Sequence, residues 1–141
     1  MAKPQRVKMI DPDNPANIRN PGLLIGIVGP CGAGKTTLAE GLRGKGYRAR
    51  AIVQEHSYVQ DMWQRITNPD ILIFLQASWL VGGKRRRLIW TEAEWEEQQR
   101  RLRHAHEHAD LALDTDPLGI DEVLNLALEF LTNQTPIKPS E

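Results

Sequence analysis

The chain has 141 residues, 40% of them hydrophobic and 26% charged, with 18 Lys and Arg balanced by 18 Asp and Glu. That length suits one domain with a core of its own. Zero net charge excludes the broad electrostatic footprint of a nucleic-acid or membrane binder, so any positive site is local. The single cysteine, Cys31, excludes an intrachain disulfide. The N-terminal residues lack the apolar core of a signal peptide and no apolar run reaches the length of a membrane span, so the expected location is cytoplasmic.

Residues 1–22, with Pro4, Pro12, Pro15 and Pro21, read as an extended lead-in, and residues 133–141 as a C-terminal tail. The folded domain is expected over 23–132. Its first signal is the apolar run Leu23 to Val28, which suits a strand buried on both faces. A helix is expected from Thr36 to Lys45, with Leu38 and Leu42 on one face and Gly46 as its stop. Tyr47 to Gln54 reads as a second strand, residues 58–66 as two helical turns, and Ile71 to Leu75 as the next buried strand. Thr91 and Glu94 form a T-x-x-E capping box for a long helix over 92–109, with Trp95, Leu102, Ala105 and Ala109 inward. Ala109 to Leu113 is a fourth strand, and Ile120 to Leu131 a closing amphipathic helix. Strands alternating with helices predict an α/β fold in three layers, with a compact parallel sheet of four to five strands and helices on both faces.

Between the first strand and the first helix lies Gly29-Pro30-Cys31-Gly32-Ala33-Gly34-Lys35-Thr36, which matches G-x-x-x-x-G-K-[ST] at every fixed position. Glycines let the loop turn its N–H groups inward around phosphate oxygens, and the following helix adds the positive end of its dipole. Lys35 brings a point charge to the β- and γ-phosphates. Thr36 offers a hydroxyl to magnesium, and Thr37 lies next to the α-phosphate. The motif directly follows an apolar strand and directly precedes a helix, the context it requires. A nucleoside triphosphate with magnesium is therefore the expected ligand.

This stretch resembles the P-loop kinase group, which includes nucleotide kinases, adenylylsulfate kinase, gluconate and shikimate kinases and dephospho-coenzyme A kinase. The likeness extends along the chain. Asn68 to Leu75 is similar to the P-D-x-x-I-x-L strand of thymidylate-kinase-like proteins, and Lys84-Arg85-Arg86-Arg87 stands where those kinases carry lid arginines. Ala109 to Asp116 is similar to their last strand and base-contacting loop, and Ile120 to Val123 to the start of their final helix. The resemblance implies ATP as donor, magnesium as cofactor and a small acceptor. It implies lid roles for Arg85, Arg86 and Arg87, with Arg86 and Arg87 favoured, and base contacts from Thr115, Asp116 and Pro117. The chain is short beside thymidylate-kinase-like and adenylylsulfate-kinase-like members. About fifteen residues, Glu55 to Pro69, take the place of an acceptor-binding segment.

No hydrophobic strand ends in a Walker B aspartate. Glu55, after the second strand, is the candidate to hold magnesium or to accept a proton from an acceptor hydroxyl, and a solvated loop carboxylate is the competing reading. The 84–87 run, preceded by Gly82-Gly83, is either a triphosphate lid or a solvated helix face. His104 and His108 have a metal-compatible spacing without a third ligand and read as a hydrated helix end. His56 is a candidate to orient an acceptor. Cys31, near a helix N-terminus, is either redox-sensitive or an unreactive small residue. Trp63, Trp79, Trp90 and Trp95 read as packing anchors. The leading expectation is a small ATP-dependent kinase, as a monomer or homodimer. The alternative is a regulatory or degenerate nucleotide-binding module without an acceptor.

Overall fold

The computed structural model describes residues 23–86 and 90–134. The expected lead-in over 1–22 and most of the expected tail lie outside them. The chain runs β1 (Leu24–Val28), α1 (Lys35–Gly44), β2 (Arg48–Ala51), a 3-10 turn (Gln54–His56), a π-helical turn (Trp63–Thr67), β3 (Ile71–Gln76), α2 (Trp79–Arg86), α3 (Glu92–Glu107), β4 (Leu111–Asp114) and α4 (Ile120–Gln134).

The four strands form one sheet in the order β2-β1-β3-β4, every pair parallel. Alternation along β1 and β3 explains why both read as unbroken apolar runs. Ile25, Ile27, Ile71, Ile73 and Leu75 join one buried cluster with Leu38 and Leu42 of α1 and Ala127 and Leu131 of α4. Val28, Leu72 and Phe74 join a second cluster with Trp63 and with Leu102 and Ala105 of α3. The buried side chains of β1 and β3 thus all have apolar destinations, which is why these two strands carry no polar residue before Gln76.

Several boundaries differ from expectation. Helix α4 continues to Gln134, two residues into the expected tail. The two turns expected over 58–66 reduce to a single turn at Trp63–Thr67. Ser57 and Val59 instead form a tight side-chain turn, with Val59 N–H donating to Ser57 Oγ at 3.1 Å. Helix α2 was not among the expected elements, because Gly82-Gly83 hides its periodicity. Ser78 starts it, its Oγ accepting from Val81 N–H at 3.2 Å. The capping box at α3 is formed as expected: Thr91 N–H donates to Glu94 Oε1 at 2.8 Å, and Glu94 N–H to Thr91 Oγ1 at 3.1 Å.

Parallel strands place all their C-terminal ends on one edge of the sheet. From β1 the chain turns to β2 on one side, then crosses to β3 on the other. The crevice between the ends of β1 and β3 is therefore a topological switch point, where open parallel sheets hold ligands. No helix among the described residues is long and apolar enough to cross a membrane.

Candidate functional site

Residues 29–34 leave the end of β1 at this switch point and lead straight into α1. Two glycines decide the loop's path. Gly32 has φ +84°, and a β-carbon there would lie 2.3 Å from Gly82 O. Only a hydrogen fits where α2 approaches the loop. Gly34, at φ +97° and ψ 23°, is the N-cap of α1 and supplies no side-chain cap, so the first amides of α1 are left to other acceptors. Lys35 is the first helical residue. Its ammonium donates to Gly29 O at 3.0 Å and Pro30 O at 3.2 Å, folding back over the loop.

The third partner of Lys35 is Glu55 Oε2, at 2.9 Å. Glu55 is only 3% exposed. The reading of Glu55 as a solvated loop carboxylate is thus corrected: the 3-10 turn after β2 carries it inward, against Lys35 at the end of the glycine-rich loop. Gln54 fixes that turn. Its buried amide donates to Val59 O at 2.8 Å and Arg101 O at 3.2 Å, and its Oε1 accepts from Trp63 N–H at 2.8 Å. Glu55 Oε1 is buried and has no hydrogen-bond partner among the described residues. A buried carboxylate oxygen without a protein donor is costly, so this oxygen calls for a water, a cation or a ligand as its partner.

Helix α3 grips the loop from the other side. Gln98 Oε1 accepts from Cys31 N–H at 3.0 Å, and Gln98 Nε2 donates to Cys31 Sγ at 3.3 Å. Cys31 N–H is therefore committed to the protein. Cys31 itself still lines the cavity over the loop. The thiol is half-buried, and His56 Nε2 lies 3.8 Å from Sγ.

Within the basic run, Arg85 reaches the loop. Its Nη1 donates to Thr115 Oγ1 at 2.8 Å and to Gly32 O at 3.3 Å, and its Nη2 donates to Thr115 O. Arg86 ends α2, but its side chain, like the whole of Arg87, lies outside the described residues.

Of the three residues expected at the base, Thr115 lines the cavity over the loop. Thr115 is buried, and its hydroxyl donates to Gln76 O at 2.9 Å. Asp116 Oδ1 accepts from Ser78 N–H at 2.9 Å, which ties β4 to the start of α2. Pro117 is exposed. A cavity of about 900 Å³ opens over Lys35, Thr36 and Thr37, reached from one side by Glu55 and walled on the other by Leu118 and Ile120. Asp116 and Pro117 are not part of its wall. Leu118 and Ile120 give that wall an apolar surface suited to a planar ring.

His104 and His108 are packing groups. Trp63 Nε1 donates to His104 Nδ1 at 3.1 Å, His108 Nδ1 lies 2.8 Å from His104 O, and the two rings stack at 4.2 Å. All four tryptophans place their indole N–H on a protein acceptor, as anchors do. Trp95 reaches Ala77 O, while Trp79 and Trp90 exchange bonds with each other's carbonyls.

Gln54, Gln98 and Leu118 escaped the sequence reading. Gln98 had a signal: spacing 95, 98, 102, 105 puts a polar residue in the inward stripe of α3, where it needs a partner. Gln54 and Leu118 had none. No family model matches the chain, and no curated protein matches it.

Proposed function

We infer that this chain is a P-loop NTPase of three-layer α/β architecture that binds ATP with magnesium at residues 29–36. We read it further as a small kinase that passes the γ-phosphoryl group to a small hydroxylated or phosphorylated acceptor. The observation that carries the reading is the Lys35–Glu55 pair at the floor of the cavity. A loop lysine at the start of a helix is held by a buried carboxylate whose other oxygen has no donor. The two apolar clusters, one with α1 and α4 and one with α3, support the layered architecture. The likeness of residues 23–132 to P-loop kinases supports the assignment to that group.

The division of labour follows from the geometry. Loop amides not already bonded and the open N-terminus of α1 bind phosphate oxygens. Lys35 swaps its contact with Glu55 for one with the β- and γ-phosphates. Thr36 and Glu55 are the residues that would hold magnesium, which when bound neutralises charge on the phosphates. Glu55 Oε1 is an acceptor for the proton of an incoming hydroxyl. The acceptor oxygen forms its bond to the γ-phosphorus as the bond to the bridging oxygen breaks and ADP leaves. Arg85 positions the loop through Gly32 O and holds Thr115. Positioning and charge, not covalent participation of the protein, supply the rate.

The second reading, a nucleotide-binding module without an acceptor, is favoured by one observation. Between Ala51 and Ile71 there is only a 3-10 turn and a single π-helical turn, little to enclose a second substrate. Calorimetry and an acceptor screen separate the readings. ATP with magnesium is expected to bind the wild-type chain and not Lys35→Ala, and labelled phosphate is expected to move to a member of a panel of nucleosides and small hydroxylated metabolites. Binding without transfer to any acceptor decides for the module, and absence of binding overturns both.

A further inference from the structure

Three side chains at the edge of the cavity have no common task in nucleotide binding. Cys31 comes from the phosphate loop; Glu55 and His56 come from the 3-10 turn after β2. One ligand atom from each, Sγ, a carboxylate oxygen and an imidazole nitrogen, lies within 4.8 Å of the other two. Cys31 Sγ to His56 Nε2 is 3.8 Å, and His56 Nε2 to Glu55 Oε2 is 3.7 Å.

Those separations match the edges of a small tetrahedron. With Zn–S of about 2.3 Å and Zn–N or Zn–O of about 2.05 Å, the tetrahedral angle sets S and N about 3.6 Å apart and N and O about 3.4 Å apart. The Cys31–His56 and His56–Glu55 edges need to contract by about 0.2–0.3 Å, the Cys31–Glu55 edge lies within 4.8 Å, and the exposed side chain of His56 can supply movement. The donors also have the right character. Thiolate and imidazole select zinc and its neighbours over magnesium, which takes oxygen ligands. A second observation points the same way. Glu55 is 3% exposed; its Oε2 lies between Lys35 at 2.9 Å and His56 at 3.7 Å, and its Oε1 lacks a partner among the described residues, so the carboxylate can keep Lys35 on one oxygen and give an electron pair from the other. Gln98 steadies the thiol, its Nε2 donating to Sγ at 3.3 Å, the kind of outer contact that orients a metal ligand. Thiolate and carboxylate charge offset a dication, so Lys35 keeps its own charge beside a neutral centre.

We propose that Cys31, Glu55 and His56 form a binding site for a borderline-soft divalent cation of the Zn²⁺ type, with its fourth position open to the cavity. All three residues line the cavity, so the open position faces any molecule held there. Three protein ligands with one open position is the pattern of zinc sites that bind a further group, in contrast to closed structural sites. The inference does not depend on nucleotide binding, because the ligand set is complete without it.

The test uses the untagged full chain, stripped of metal by chelator and free of nucleotide. Co²⁺ is titrated first as a spectroscopic probe, then Zn²⁺ by calorimetry. One equivalent of each is expected to bind. Co²⁺ should produce a thiolate-to-metal charge-transfer band, which Zn²⁺ then bleaches. Cys31 is the only cysteine in the chain, so that band reports this site alone. Cys31→Ser should abolish the band, and Cys31→Ser and His56→Ala should each weaken Zn²⁺ binding by about 100-fold or more, since loss of a ligand costs at least as much as loss of an outer contact. His108→Ala, on the stacked histidine pair of α3, should change nothing. Circular dichroism checks the fold of each variant. Should Cys31→Ser not fold, His56→Ala, with its ring at the surface, decides. Absence of the charge-transfer band at saturating Co²⁺, Zn²⁺ affinity within about threefold of wild type in His56→Ala, or loss of binding in His108→Ala instead would each overturn the proposal.

Discussion

Replacing Lys35 by methionine keeps the length of the side chain and removes the cation that Glu55 faces. At 2.9 Å and an effective dielectric of about 20, the attraction between the two is about 6 kcal/mol, most of it offset by the cost of taking both groups out of water. Removing one partner leaves the other buried without its counter-charge, and such losses run at about 3–5 kcal/mol. We expect the lower end, about 3 kcal/mol, because the cavity admits water near the carboxylate. A folded unit of about 110 residues has an unfolding entropy of about 0.23 kcal/mol/K, so the midpoint should fall by about 13 °C. Glu55→Gln should cost less, about 1–2 kcal/mol, because Lys35 keeps the carbonyls of Gly29 and Pro30. The double variant should lose less than the sum of the two, with a coupling of about 2 kcal/mol. Thermal and urea unfolding, followed by circular dichroism, measure all four corners of the cycle. Single effects that add within about 0.5 kcal/mol would refute the pair as an energetic unit.

Arg85→Ala removes charge-assisted bonds to Thr115 and Gly32 that are partly open to solvent, and should lower stability by about 1–2 kcal/mol in urea unfolding, with little recovery in Arg85→Lys; an unchanged midpoint would show that the arginine holds nothing. Gly32→Ala forces a β-carbon to 2.3 Å from Gly82 O at φ +84°, so it should cost about 2 kcal/mol or more and separate α2 from the loop, seen as weaker ATP binding by calorimetry; wild-type affinity and stability together would contradict this. ATP should bind at least as well as GTP, because the wall of Leu118 and Ile120 reads ring shape and not guanine's donors, and strong GTP selectivity in a competition assay would exclude that wall as the base site. The Arg100 guanidinium bonded to Glu97 holds that carboxyl below its usual range, so its small contribution to stability is present above the ordinary glutamate pKa and fades only as pH falls through the lowered value; an NMR titration of Arg100→Ala should show the midpoint moving up.

The strands and the glycine-rich loop between β1 and α1 were legible because each rests on local chemistry. Ile25 to Val28 and Ile71 to Leu75 are buried, so each position had to be apolar or glycine, and a glycine-rich turn followed the first of them. Thr91 and Glu94 announced α3 because a capping box satisfies two orphan amides with two side chains. Helix α2 was not legible, because Gly82 and Gly83 lower its propensity and break its stripe. The reason for glycine at 82 lies in a different part of the chain, where Cys31 O would meet an added β-carbon at 2.8 Å. The site followed the same division. Lys35 and Thr36 were marked by the motif. The burial of Glu55 depends on Gln54 bonding to Val59, Trp63 and Arg101, the last contact made across 47 residues, which no spacing encodes. The contact of Arg85 with Thr115 joins residues thirty apart, which position within a basic run does not encode.

These contacts have a joint consequence for how a ligand would be received. The loop is braced on both sides without any ligand: Gln98 holds Cys31 from α3, and Gly82 with Arg85 holds Gly32 from α2. Binding therefore costs little ordering of the loop itself. The part that must change is Lys35. Its ammonium is already satisfied by two carbonyls and a carboxylate, so an arriving phosphate gains only the difference between its own contact and that of Glu55. That exchange also frees Oε2 of Glu55, giving a buried carboxylate with both oxygens available. A cation is then required to keep the site tolerable, because a buried carboxylate without one is strongly unfavourable. On the proposed reading, phosphate and cation therefore bind cooperatively, each removing the penalty the other creates. Glu55→Gln should weaken that cooperativity more than it weakens triphosphate binding alone. Calorimetry of ATP with and without magnesium, on wild type and Glu55→Gln, measures the two terms separately, and equal magnesium dependence in both proteins would show that Glu55 is not the link.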